Sequence, residues 1–167
     1  MIKIMFVCHG NICRSPMAEY VMKQLVANAQ QTSNFEITSA ATSQDEISVS
    51  GLGNPMDPRA MAQLSEFDVP FKSHHAVQLT KADYDQYDWL ICMDEANFLD
   101  MNCITGGDPA HKEYKLLAFT GNPQDIEDPW YTGDFKTALL AIKRGCEVFY
   151  QYLLAHADSG KEQDGHI

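Results

Sequence analysis

The sequence predicts an α/β fold, a parallel sheet flanked by helices on both faces. Two observations carry that expectation. Short apolar runs of strand type alternate along the chain with segments whose apolar residues recur every three or four positions. The first of these runs, Ile2-Lys3-Ile4-Met5-Phe6-Val7, also passes through one short loop straight into a helix start at Ser15-Pro16. Strands separated by helices run in the same direction, joined by right-handed crossovers. Ligands of such sheets bind beyond the carboxyl ends of the strands, which is where Cys8 falls.

Taken in order, the elements each have a local cause. Ser15 is a suitable N-cap, and Pro16 suits a first helical position, where no N–H is needed. Met17, Val21 and Leu25, with Ala18, Met22 and Val26 beside them, predict an amphipathic helix over 16–29. Residues 35–40 alternate as a second strand, and a loop rich in Ser and Gly follows over 42–55. Asp57-Pro58 opens a short helix to about residue 67, with Met61 and Leu64 facing inward. Thr80 with Asp83 three residues on caps a helical turn. Residues 88–93 read as a buried strand and 94–102 as the helix after it. Gly106-Gly107-Asp108-Pro109 marks a loop, 115–119 a last short strand, and 125–133 a polar and aromatic loop. Leu139, Ile142, Cys146, Phe149 and Leu153 form the core stripe of a final helix. No repeat or second domain is visible: one domain is expected over 1–157, with a disordered tail over 158–167.

Composition narrows the function classes. The chain has 167 residues, 45% of them hydrophobic, enough for a real core in one globular unit. No apolar run approaches the ~20 residues of a membrane span, and the N-terminus lacks a signal-peptide pattern. Five cysteines, odd in number and without CxxC spacing, argue against a disulfide framework and a structural zinc site. No metal or other cofactor is expected, and reduced thiols without an export signal point to the cytoplasm. The net charge of −11 disfavours nucleic acid and anionic membrane as partners. It also opposes a dianionic ligand at long range, so binding must come from local donors, which screening over ~8–10 Å permits.

Those donors cluster in Cys8-His9-Gly10-Asn11-Ile12-Cys13-Arg14-Ser15-Pro16. The loop ends at a helix N-terminus, where free N–H groups and the positive dipole end favour an anion. Gly10 is expected to give the backbone the freedom to form an anion-binding nest, and Arg14 adds a planar fork matched to phosphate oxygens. A helix N-terminus and a neighbouring cation favour the thiolate form of a cysteine. A Cys8 thiolate at the floor of a phosphate cradle is a nucleophile aimed at phosphorus, and implies a covalent cysteinyl-phosphate intermediate released by water. A lone cysteine after a strand would more simply be a small buried hydrophobe. The cysteine, five residues, arginine and serine on strand–loop–helix favour the nucleophile.

This stretch resembles the signature of the low-molecular-weight protein tyrosine phosphatases. The resemblance implies a four-stranded parallel sheet and the small phosphatase fold. It implies phosphotyrosine-containing proteins as substrates, a cognate tyrosine kinase behind them, and a monomer or weak homodimer. Expelling a phenolate requires a proton, and Asp128-Pro129-Trp130-Tyr131 is similar to the family's acid loop, which assigns Asp128 as general acid and then base. Trp130 and Tyr131 would wall the pocket and stack on an aromatic ring. By the same resemblance His9 to Ser15 hold the phosphate, Asn11 shapes the cradle with Ser15, and His74 braces Asn11. Spacing alone would leave His74 and His75 on the surface. Asp94 is either a loop-bracing carboxylate or an ordinary helix cap, and Cys13 either a small loop residue or a resolving thiol for Cys8.

One departure from the family pattern and one residue of the loop bear on specificity. The family often carries Ser-Ala-Gly-Thr-Ser and then an aromatic at the pocket mouth, whereas this chain has Ser39-Ala40-Ala41-Thr42-Ser43-Gln44-Asp45-Glu46-Ile47. Ile12 stands where phosphoarginine-specific relatives typically carry threonine. An arsenate reductase on the same fold would need two further relay cysteines, and the spacing of Cys92 and Cys103 does not resemble that pair. Retention of Cys8, Arg14, Ser15 and Asp128 together argues against a catalytically silent phosphate-binding module.

Overall fold

A computed structural model describes residues 1–156, and the tail expected over 158–167 lies outside them. Strands β1 (Ile2–Cys8), β2 (Phe35–Ala41), β3 (Trp89–Cys92) and β4 (Glu113–Lys115) form one sheet in the order β2-β1-β3-β4. Every pairing is parallel. The chain leaves β1 toward β2 and then crosses back to β3 on the other side. Strand order therefore reverses beside the C-terminal end of β1, and Cys8 is its last residue.

Both faces of the sheet are covered, as all-parallel sheets require. Ile4, Phe6 and Cys8 point into a core shared with α1 (Arg14–Asn28), α2 (Pro58–Glu66) and α6 (Phe135–Ala155). Met5 and Val7 point the other way, into a core with Leu79, Tyr84 of α3 (Lys81–Gln86) and Met101 of α4 (Glu95–Thr105). The period of two in β1 thus sends alternate side chains to two different helical layers. The expected stripe of α6, Leu139, Ile142, Cys146, Phe149 and Leu153, is buried throughout. Gly145 on that helix lets it press against the segment after β4, since a Cβ there would sit 2.6 Å from Leu116 Cγ.

Element boundaries differ from expectation in four places, each with a local reason. Helix α1 starts at Arg14 with Cys13 as N-cap, not at Pro16 with Ser15 as cap. The Ser15 hydroxyl is engaged by Cys8 and Asn11 and is not available to cap. Pro16 is still harmless there, because the first helical bond is donated by Met17 N–H to the Cys13 carbonyl at 3.1 Å. The last strand is Glu113–Lys115, and the expected run 115–119 instead falls largely in a 3-10 turn, Leu116–Thr120, that buries Leu116 and Leu117. A short apolar run carries no period to separate the two. Helix α4 runs past 102 to Thr105, where Gly106 ends it with a left-handed φ of 97°. The loop over 125–133 contains a single helical turn, α5 (Pro129–Thr132), with Asp128 as its N-cap. Asp57 and Thr80 cap α2 and α3 as the sequence indicated. Among the described residues no helix is long and apolar enough to cross a membrane.

Candidate active site

Cys8 ends β1 inside a ring of donors supplied by the next seven residues of chain. The backbone N–H groups of Asn11 and Ser15 point at Cys8 Sγ from 3.3 and 3.4 Å, and Ser15 Oγ lies 3.0 Å away. Asn11 Nδ2 donates to Ser15 Oγ at 2.7 Å, so the Ser15 proton is left for the sulfur. Three donors thus converge on one sulfur. The tight curvature comes from Asn11, whose φ of 59° is left-handed as its residue type tolerates, while the freedom expected of Gly10 is not used there. Asn11 tolerates this conformation because its side chain is tied down: Oδ1 accepts from Val77 N–H at 3.0 Å. The absence of a side chain at Gly10 serves close approach instead, since a Cβ there would lie 3.2 Å from Glu46 Cγ.

Arg14 is 2% exposed, and groups from two other segments anchor it. Its Nη1 donates to Asp94 Oδ2 at 2.7 Å and to the Ile126 carbonyl at 2.6 Å, and Nη2 lies 3.4 Å from Asp128 Oδ2. Burial works against the guanidinium charge, but Cys8, Asp94 and Asp128 outweigh it and raise the pKa above its ordinary value. The charge is permanent. Asp94 fills both of the roles open to it: Oδ1 caps α4 through Asn97 N–H at 2.7 Å while Oδ2 holds Arg14. Arg14 Nε is buried without a hydrogen-bond partner among the described residues. A buried guanidinium donor of this kind is costly unless a ligand oxygen meets it.

Behind the loop, His74 Nε2 donates to the Asn11 carbonyl at 2.9 Å, which fixes its tautomer. Its side chain is buried rather than on the surface. Burial pushes the imidazole pKa down, against the opposing pulls of the Asn11 carbonyl and of Glu19, whose Oε1 is 3.9 Å from Nδ1. Glu19 was missed in the sequence because its pairing with Lys23, four residues on, reads as a solvent-exposed helix pair. Cys13 is buried and offers its thiol to Asp57 Oδ2 at 3.9 Å. The Arg59 fork meets Asp57 at 2.9–3.1 Å and holds that carboxyl below its usual range despite burial. Arg59 also lies over the rings of Trp130, at 5.5 Å, and Phe135, at 4.6 Å.

The loop opens into a cleft of about 110 Å³ lined by residues 8–14, Asp45, Glu46, Asp128, Trp130 and Tyr131. Asp128 Oδ1 accepts from Trp130 N–H at 3.0 Å, so α5 orients the carboxyl over the cleft. Trp130 and Tyr131 are exposed at its mouth. The structure therefore brings Cys8, His9, Gly10, Asn11, Ile12, Cys13, Arg14, Asp128, Trp130 and Tyr131 to one cavity, while Ser15 and His74 support it from behind. The Ile126 carbonyl had no signal in the sequence, because a backbone acceptor leaves none.

A cysteine sulfur ringed by hydrogen-bond donors, a buried arginine and a carboxylate in the same cleft define a cysteine-dependent phosphatase. Residues 3–159 match the family described as low molecular weight phosphotyrosine protein phosphatase. The human phosphatase of that name is 39% identical over 153 residues, covering 89% of this chain and 93% of its own. The crystal structure of YfkJ from Bacillus subtilis superposes with a TM-score of 0.85 at 31% identity, over 93% of this chain and 96% of that one. The drosophila arginine phosphatase superposes with a TM-score of 0.80 at 27% identity, over 90% and 97%. The chain belongs to the low-molecular-weight phosphotyrosine protein phosphatase family.

Proposed function

We propose that Cys8, Arg14 and Asp128 carry the hydrolysis of phosphotyrosine monoesters in this member of the family. The observation that carries the assignment is the pairing of a sulfur receiving three donors with a buried, partnerless Arg14 Nε in the same cleft. The Cys8 thiolate attacks phosphorus while Arg14 and the loop N–H groups take the charge on the phosphoryl oxygens. Asp128 gives its proton to the departing phenol oxygen. In the second step Asp128 takes a proton from water, which attacks the cysteinyl phosphate and releases inorganic phosphate and the thiolate. Trp130 and Tyr131 supply faces for the phenyl ring. Cys8→Ser abolishes turnover of an aryl phosphate. Asp128→Ala slows it by roughly 10²–10⁴-fold, with a smaller loss for leaving groups that need no proton. An equal loss on activated and unactivated esters would overturn the acid assignment.

Likeness to the drosophila arginine phosphatase keeps phosphoarginine as the second substrate class. Ile12, buried and lining the cleft, offers only apolar bulk, which disfavours a polar guanidinium. The expected order of kcat/KM is phosphotyrosine, then phosphoarginine, with phosphoserine and phosphothreonine far behind, because their phosphates lie too close to the backbone to reach Cys8. Ile12→Thr narrows the gap between the first two. Faster turnover of phosphoarginine peptides by the unmodified protein would reverse the assignment. A cognate tyrosine kinase that supplies the substrate, a monomeric or weakly dimeric state and a cytoplasmic location complete the proposal. The last is supported by cysteines that are free in all five positions.

A further inference from the structure

The mouth of the cleft has two unlike walls. On one side stand Trp130 and Tyr131, with Arg59 stacked on the Trp130 ring. On the other stand two carboxylates, Asp45 and Glu46, from the loop after β2. Both are held. Asp45 Oδ2 accepts from His9 Nε2 at 2.6 Å, its backbone N–H donates to Ser43 Oγ at 3.3 Å, and Ser43 Oγ in turn donates to the His9 carbonyl at 2.9 Å. Glu46 Oε1 accepts from Asn54 Nδ2 at 3.1 Å, and its Cγ sits against Gly10. Asp45 is thus fixed to the phosphate loop itself and Glu46 packs beside that loop, and Asp45 keeps 68% of its side chain exposed.

At the rim the only basic-type side chain beside them among the described residues is His9, which holds one oxygen of Asp45. Arg14 is buried and already faces Asp94 and Asp128, and Arg59 is bound to Asp57 on the far wall. The phosphate's own charge is met at the floor, by the loop donors and Arg14 Nε. What meets Asp45 and Glu46 is whatever lies beside the phosphotyrosine in the substrate chain. An acidic neighbour would be repelled by two fixed carboxylates, while a lysine or arginine would find a partner.

We propose that Asp45 and Glu46 are specificity-determining residues that select phosphotyrosines flanked by basic side chains. This rests on the phosphotyrosine reading above. The contact is a solvent-facing ion pair, so its expected size is modest: about 2–5-fold in kcat/KM for each basic residue placed beside the phosphotyrosine, expressed mainly in KM and weakening as salt is added.

The test uses the full chain and three substrates: a bare aryl phosphate, a phosphotyrosine peptide with lysines on both sides, and the same peptide with glutamates. Wild type is expected to favour the lysine peptide over the glutamate peptide by about 5–20-fold at low ionic strength. Asp45→Asn combined with Glu46→Gln should collapse that ratio toward one, and Asp45→Lys with Glu46→Lys should invert it. Equal kcat/KM on the two peptides with sound turnover of the aryl phosphate would overturn the rim assignment alone. So would a lysine preference that survives the charge reversal. Failure to turn over the bare aryl phosphate would overturn the phosphotyrosine reading, and this inference with it.

Discussion

Cys8 and Arg14 were legible from their spacing, but the residues that hold them were legible only in part. Side chains with a sequence signature, Asp57 before a proline and Asp94 before a helix, emerged as caps whose second oxygens turned out to serve Cys13 and Arg14. A cap uses one carboxylate oxygen and leaves the other free, so the local rule finds the residue and misses its long-range partner. Cys13 shows the opposite case, a residue whose role depends on a neighbour's state. Burial, and next to it the charge on Cys8, raise the Cys13 pKa far above its ordinary value. Peroxide converts the Cys8 thiolate to a neutral sulfenic acid, which removes that second contribution. Burial still opposes loss of the Cys13 proton, and the thiol gives it up as it attacks the Cys8 sulfur, forming a disulfide and expelling water. Peroxide-treated protein should therefore contain a Cys8–Cys13 disulfide by mass spectrometry and recover activity with a thiol reductant. Cys13→Ser should recover a much smaller fraction of its own starting activity. Over-oxidised Cys8 with no such link would rule the idea out.

At the scale of elements, period and capping located most of the helices and strands, and failure came where neither operates. β4 is three residues long and cannot display alternation. It also carries Glu113, 3% exposed, a residue that no strand pattern would place inside. Glu113 Oε2 accepts the Thr105 hydroxyl at the end of α4, while Oε1 is buried without a partner among the described residues. Burial, aided by Asp108, raises its pKa to about 7 against the Thr105 bond, which lowers it. The folded state therefore holds a proton that the unfolded chain releases at its ordinary carboxyl pKa. The stabilising effect of that proton is complete below the unfolded value and is lost as pH rises through about 7. The protein should lose on the order of 1–2 kcal/mol between pH 5 and pH 8 from this group. Glu113→Gln keeps an acceptor for Thr105 and removes the titration. Its Tm should change less than wild type's over that range and exceed it at pH 8. Identical pH profiles for the two proteins would show that Glu113 does not titrate as described.

For the whole molecule, alternating elements were enough to indicate a parallel sheet covered on both faces, because chirality and burial leave few other arrangements. What alternation could not indicate is how separate segments converge on the cleft: residues 45–46, 94 and 126–131 come from three loops at the carboxyl ends of the strands. The net charge, by contrast, is a property of the full sequence and acts on every substrate before contact. At −11 the protein repels a phosphate dianion beyond the reach of the loop donors. Added sodium chloride shortens that repulsion from ~30 Å at 0.01 M to ~8 Å at 0.15 M, while the buried contacts of Arg14 are screened far less. Raising salt over this range should therefore increase kcat/KM for a bare aryl phosphate, by about twofold or more, with the gain in KM rather than kcat. A lysine-flanked phosphotyrosine peptide carries compensating positive charge, so the same salt should leave its kcat/KM flat or reduce it. Stopped-assay rates for the two substrates across one sodium chloride series give the comparison directly. A fall in kcat/KM for the bare ester would mean that a local positive field at the cleft mouth outweighs the molecule's net charge, and the carboxylates of Asp45 and Glu46 would then not dominate the approach.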